Sequence, residues 1–144
     1  MTSTDFVCAF QAGSIAPGEF HHREHLRLAY SHIAIEPLAE AIDSFKQSLG
    51  LFLDRVGEHG KYHETITVAF MLIVADRMEC LQECHTWDDF QTGNPDLFNS
   101  SRSVLLEYYS SSTLSLDESR TSFVLPDLVP LPAYSRMHRA TSMG

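Results

Sequence analysis

From Pro37 onward the apolar residues Leu38, Ile42, Phe45, Leu49, Phe52 and Val56 succeed one another at steps of four and three without a miss, and the series stops at Gly57. Only an α-helix puts residues so spaced on one face. Proline is well placed at a first helical position and glycine just past the end, so both ends are marked as well as the face. An element of this length with a single apolar stripe must lay that stripe against other elements. The rest of the chain is therefore read for partners.

Thr2, Ser3 and Thr4 offer caps to a short first helix carrying Phe6 and Phe10, which Gly13 ends. Ala16-Pro17-Gly18 reads as a turn. A second helix begins near Phe20, carries Leu26, Ala29 and Ile33 at helical spacing, and cannot pass Pro37. After Gly57-Glu58-His59-Gly60 a further helix is expected from about Tyr62 through Met78. Its residues Ile66 to Ala75 are apolar nearly all round, which predicts burial on most faces. Beyond Cys84 the pattern weakens. Trp87 and Phe90, a turn at Gly93-Asn94-Pro95-Asp96, Leu105 to Tyr109, and Glu118 to Phe123 predict three short helices, and Leu125 to Pro132 reads as extended chain over the bundle. There is no internal repeat, and no alternating run is long enough for a sheet. The expectation is an all-α, single-domain helical bundle over residues 1–132 with short C-terminal helices and an extended proline-rich segment, followed by a flexible tail over 133–144.

Composition removes several classes of function. The net charge is −9, and the ten Lys and Arg form no run, which argues against a phosphate-tracking surface and hence against nucleic acid. The longest apolar run, Val68 to Ala75, is too short to span a bilayer, and no basic region followed by an apolar one opens the chain, so no membrane partner is expected and the cytoplasm is the expected compartment. Three cysteines in a chain large enough to fold on its own core indicate no disulfide framework.

The chemistry-bearing residues gather at two helix starts. Read backward through Ile33, Ala29 and Leu26, the stripe of the second helix reaches His25 and His22, so both imidazoles are expected to face the core, while His21 and His32 fall on the flank. The stripe from Val74 through Phe70 and Thr67 runs back to His63 in the same way. If the two helices are neighbours, three imidazoles converge at one end of the bundle. A helix N-terminus and burial both favour neutral imidazole, the form that ligates a metal. Such donors suit Fe, Cu or Zn, and three protein ligands leave positions open for water or substrate. Each histidine taken alone is as well explained as a hydrogen-bonded core residue.

Around that site, Glu64 is a candidate ligand or acid-base group and Tyr62 a candidate phenol, although a first-turn acid and an aromatic at helical spacing need no function. Tyr108 and Tyr109 have the same two readings, and Asp127 and Arg120 would reach a pocket only if the late segment crosses its mouth. Cys80 and Cys84, with His85, have spacing for a soft metal but no second pair. The spacings are neither those of carboxylate-bridged di-iron bundles nor the His-Glu-x-x-His of zinc proteases.

Phe20-His21-His22-Arg23-Glu24-His25-Leu26-Arg27-Leu28-Ala29-Tyr30, then Gly60-Lys61-Tyr62-His63-Glu64-Thr65, Trp87-Asp88-Asp89-Phe90, Asn94-Pro95-Asp96-Leu97 and Pro126 to Pro132 together resemble a family of small all-helical proteins of bacteria and fungi, most without an assigned reaction. Its pattern, similar to Phe-x-His-x-x-His-Leu-Arg, maps its histidines onto His22 and His25 and leaves His21 variable. The resemblance implies an all-helical fold and points to His22, His25 and His63 without naming a reaction. The expected function is thus a small metal-dependent enzyme acting on an organic small molecule, oxidative with iron or copper as an oxygenase or cyclase, hydrolytic or lyase-like with zinc. The rivals are a noncatalytic ligand- or protein-binding module and a metal-free acid-base enzyme using His63 and Glu64.

Overall fold

The computed structural model describes residues 1–81 and 85–137. Among these there are helices and connecting turns and no strand, so the fold is all-α as the periodicity required. The chain divides into two compact units, one of residues 1–62 with described residues 135–137, the other of residues 63–134.

In the first unit, α1 (Ser3–Gln11) packs on α2 (His22–Ile35), and α2 packs on α3 (Leu38–Val56). Thr2 and Asp5 start α1 with reciprocal side-chain to backbone hydrogen bonds of 3.1 and 3.3 Å. Gly13 follows the helix at φ +77°, a left-handed backbone that favours glycine. α3 buries Leu38, Ala41, Ile42, Phe45, Leu49, Phe52 and Leu53. It ends as expected at Gly57, whose left-handed φ of +72° lets its N–H reach Asp54 O while Glu58 N–H reaches Leu53 O.

In the second unit α4 (Glu64–Glu79) buries Thr65, Thr67 to Ala69 and Met71 to Ala75, the expected burial on most faces. It starts two residues later than the sequence suggested, because His59–Lys61 forms a separate 3-10 turn and Tyr62 is extended. Where three short helices were expected there are five: α5 (Trp87–Gly93), α6 (Pro95–Asn99), α7 (Ser101–Leu105), α8 (Ser111–Leu114) and α9 (Asp117–Thr121). Thr86 and Ser110 cap α5 and α8 through their hydroxyls. The Arg77 guanidinium grips both oxygens of Asp96 at 3.0 and 2.8 Å and Asn94 Oδ1 at 3.0 Å, tying α4 to the α5–α6 corner.

The segment from Leu125 to Pro132 is non-helical, as expected. Thr65 Oγ1 accepts from Val124 N–H just before it, Asp127 accepts from Ser110 N–H, and Leu128 N–H donates to Tyr108 O. The expected tail is helical over α10 (Tyr134–Met137), entered through Ala133 at φ 59°. Residues 138–144 of that expected tail and Cys84 lie outside the described residues. No helix among the described residues is long and apolar enough to cross a membrane.

Candidate metal-ligating and polar sites

The first turn of α2 holds two of the three predicted ligands. His21 is the cap residue, in extended backbone, and Glu24 three residues on accepts its N–H at 3.2 Å. Phe20, just before the helix, turns back and joins Phe10 and Phe52 at centroid separations of 5.0 and 4.6 Å. The His25 ring enters this aromatic cluster, stacked on Phe20 at 5.6 Å and tilted on Phe45 at 5.5 Å. Burial pushes its pKa down to about 4, with the neighbouring His22 charge adding to the depression. His25 is therefore a neutral imidazole at physiological pH. No described residue hydrogen-bonds to either of its ring nitrogens.

His22 corrects the sequence reading: it was expected to face the core and is exposed. Helical phase sets its direction correctly, since its charge reaches His25, but the first helical position leaves it exposed.

His63 belongs to the second unit and is not in the first turn of α4. It is the residue before it, extended at φ −137° and ψ 109°, and half-buried. Its Nδ1 accepts from Ile66 N–H at 3.2 Å, satisfying one of the free donors at the helix start. Its Nε2–H donates to Leu114 O at 2.9 Å. Both nitrogens of this neutral imidazole are thus engaged, and to ligate a metal it would have to release one bond. Thr67, placed close behind it, donates to His63 O at 2.7 Å. Glu64 is half-buried as the first residue of α4, and Tyr62 is half-buried with its ring stacked on His59 at 6.5 Å. Among the described residues no three His, Cys, Asp or Glu side chains are grouped as a metal ion requires.

Of the remaining candidates, Tyr109 and Asp127 have structural roles. Tyr109 is fully buried, its hydroxyl donating to Val124 O at 2.6 Å, and burial pushes its pKa up. Tyr108 is half-buried and shifted upward chiefly by burial. Asp127 is held below the usual carboxylate range by the Ser110 N–H it accepts. Cys80 is exposed, and Arg120 is exposed on α9.

The sequence reading missed the polar cluster at the other end of α2. His32, assigned to the flank, is 1% exposed. Its Nδ1 lies 3.2 Å from Glu36 Oε1 and its Nε2 3.1 Å from Ser48 Oγ, while Ser44 donates to Glu36 Oε2 at 2.8 Å. Burial lowers the pKa of His32, opposed by the Glu36 carboxylate. The signal was present: His32 and Glu36 are four apart, and Ser48 sits at the phase of Ala41, Phe45 and Phe52 on the inner stripe of α3. A hydroxyl at a core position asks for a partner.

The chain matches no protein family profile, no curated protein and no solved structure.

Proposed function

We propose that the chain is a small metal-dependent enzyme acting on an organic small molecule, with a transition-metal ion held at the first turn of α2 by His25 and His22. The observation that carries this reading is His25 itself, a neutral imidazole stacked on Phe20 and tilted on Phe45, with no hydrogen-bond partner among the described residues for its ring nitrogens. A ring fixed in orientation, with one nitrogen unprotonated at neutral pH, is what ligation needs. His22, three residues before it, supplies a second imidazole at the spacing of one helical turn.

Imidazole donors favour Fe, Cu or Zn. Iron or copper would supply oxidative chemistry, which is our first reading, and zinc would supply an activated water for hydrolysis or a lyase reaction. His63 belongs to the second unit, with its nitrogens engaged by Leu114 O and Ile66 N–H. Its full set of hydrogen bonds favours the rival reading, a noncatalytic binding module with structural histidines.

The test is metal content of tag-free protein after incubation with Fe(II), Cu(II) or Zn(II) and desalting, compared with His22→Ala, an exposed position. The proposal expects one ion per chain in the parent and loss in the variant. No retained metal in the folded parent overturns it.

A further inference from the structure

The cluster around His32 has a directionality that a packing role does not require. A carboxylate only accepts, so the proton between Glu36 Oε1 and His32 sits on Nδ1, and Nε2 is left as an acceptor. Ser48, 3.1 Å from Nε2, must then donate its hydroxyl proton to it. A mid-helix serine ordinarily donates to the carbonyl four residues back. Ser48 gives its proton to an imidazole instead. Ser44 fixes the far oxygen of Glu36, so the carboxylate, the ring and the hydroxyl are held in one line from 2.8 to 3.2 Å.

We propose that Ser48 is an imidazole-activated nucleophile that takes up the acyl group of small esters, with His32 as its base and Glu36 as the positioning residue. The geometry is that of the serine, histidine and carboxylate arrangement recognised by roles rather than by sequence position. This site is separate from the metal reading and does not depend on it.

Ser48 is only 2% exposed, and Gln11 is what lies on its oxygen. Gln11 is an exposed residue at the end of α1 whose amide Nε2 donates to Ser48 Oγ at 3.4 Å, a long bond and its one side-chain bond among the described residues. Substrate enters by displacing this side chain. Ser48 Oγ bonds to the ester carbonyl carbon as its proton passes to His32 Nε2. The ester C–O bond breaks, and the proton leaves with the alkoxide. Water then adds to the acyl-serine, delivers a proton through His32 back to Ser48, and releases the acid.

The groups set against the ring are Glu36 on its own helix, Ser48 and Phe45 on α3, and Gln11 on α1 behind Ser48. Glu36 is the one charged group in contact with it among the described residues. Removing its charge takes away what opposes the downward shift of His32, so the pH at which labelling begins moves lower in Glu36→Gln.

The full chain is incubated with p-nitrophenyl acetate and with a small alkyl fluorophosphonate, and adducts are located by mass spectrometry, folding being checked by circular dichroism. A single adduct is expected on Ser48, absent in Ser48→Ala, formed roughly 10-fold faster in Gln11→Ala and roughly 100-fold slower in Glu36→Gln. The labelling rate should rise with pH to a plateau whose midpoint falls in Glu36→Gln, which a merely structural carboxylate would not change. No adduct on Ser48 in either the parent or folded Gln11→Ala overturns the proposal. So does an adduct whose rate ignores both pH and Glu36→Gln.

Discussion

The two ends of α2 each hold a histidine that burial drives toward the neutral form, and they solve the resulting problem in opposite ways. At the C-terminal end His32 is enclosed, with Glu36 on one nitrogen and Ser48 on the other. At the N-terminal end His25 makes only ring contacts, stacked on Phe20 and tilted on Phe45, and its nitrogens have no partner among the described residues. A hydrogen-bonded histidine has both nitrogens committed to named partners. One held by ring contacts alone keeps its nitrogens available. The comparison teaches that burial and a lowered pKa do not by themselves separate a structural imidazole from a ligating one, whereas the hydrogen-bond account does.

Replacement should separate the two ends most strongly. His32→Ala leaves Ser48 without its acceptor and opens a void beside Phe45, so it is expected to cost about 3 kcal/mol in urea unfolding. A cost near zero would show that the bonds of His32 to Glu36 and Ser48 do not hold this end together.

The next largest effect is with pH. The pKa of His25 is lowered in the folded chain to about 4, below the ordinary value of 6.5, so the unfolded chain takes up the proton first as pH falls. Stability is therefore full above pH 6.5, is lost progressively down to about pH 4 and levels off below it. The loss from this residue is on the order of 2 kcal/mol, and His32 adds to it in the same direction. Urea midpoints measured across this range check the sign.

His25→Phe sharpens the contrast. It places a further phenyl ring among Phe20, Phe45 and Phe52 without stranding any hydrogen bond, so it should change stability at neutral pH by no more than about 1 kcal/mol while removing much of the acid-side loss. The smallest effect belongs to exposed His22, whose replacement by alanine should stay within about 0.5 kcal/mol.

Where stripes ran through a helix interior, the sequence was read correctly. Pro37 to Gly57 became α3 with its glycine stop, and the apolar run through Ala75 became a helix buried on most faces. The misreadings lie at helix ends and flanks. Phase gave the direction of His22 but not its exposure. Phase did not apply to His63, which sits outside the helix as its cap, its Nδ1 doing the work usually given to an asparagine or serine oxygen. His32 was discarded because the buried face of α2 was taken to be one stripe wide, and packing against both α1 and α3 makes it wider. The capping hydroxyls of Thr86 and Ser110 were legible and would have marked the starts of α5 and α8.

The most direct test of the central claim observes the imidazoles themselves. Nitrogen-15 NMR of the histidine rings should show His25 neutral, titrating at about pH 4, and shifted on addition of one equivalent of diamagnetic Zn(II) together with His22. Zinc that leaves the His25 nitrogens unchanged, or a His25 ring already protonated near pH 6.5, would contradict it.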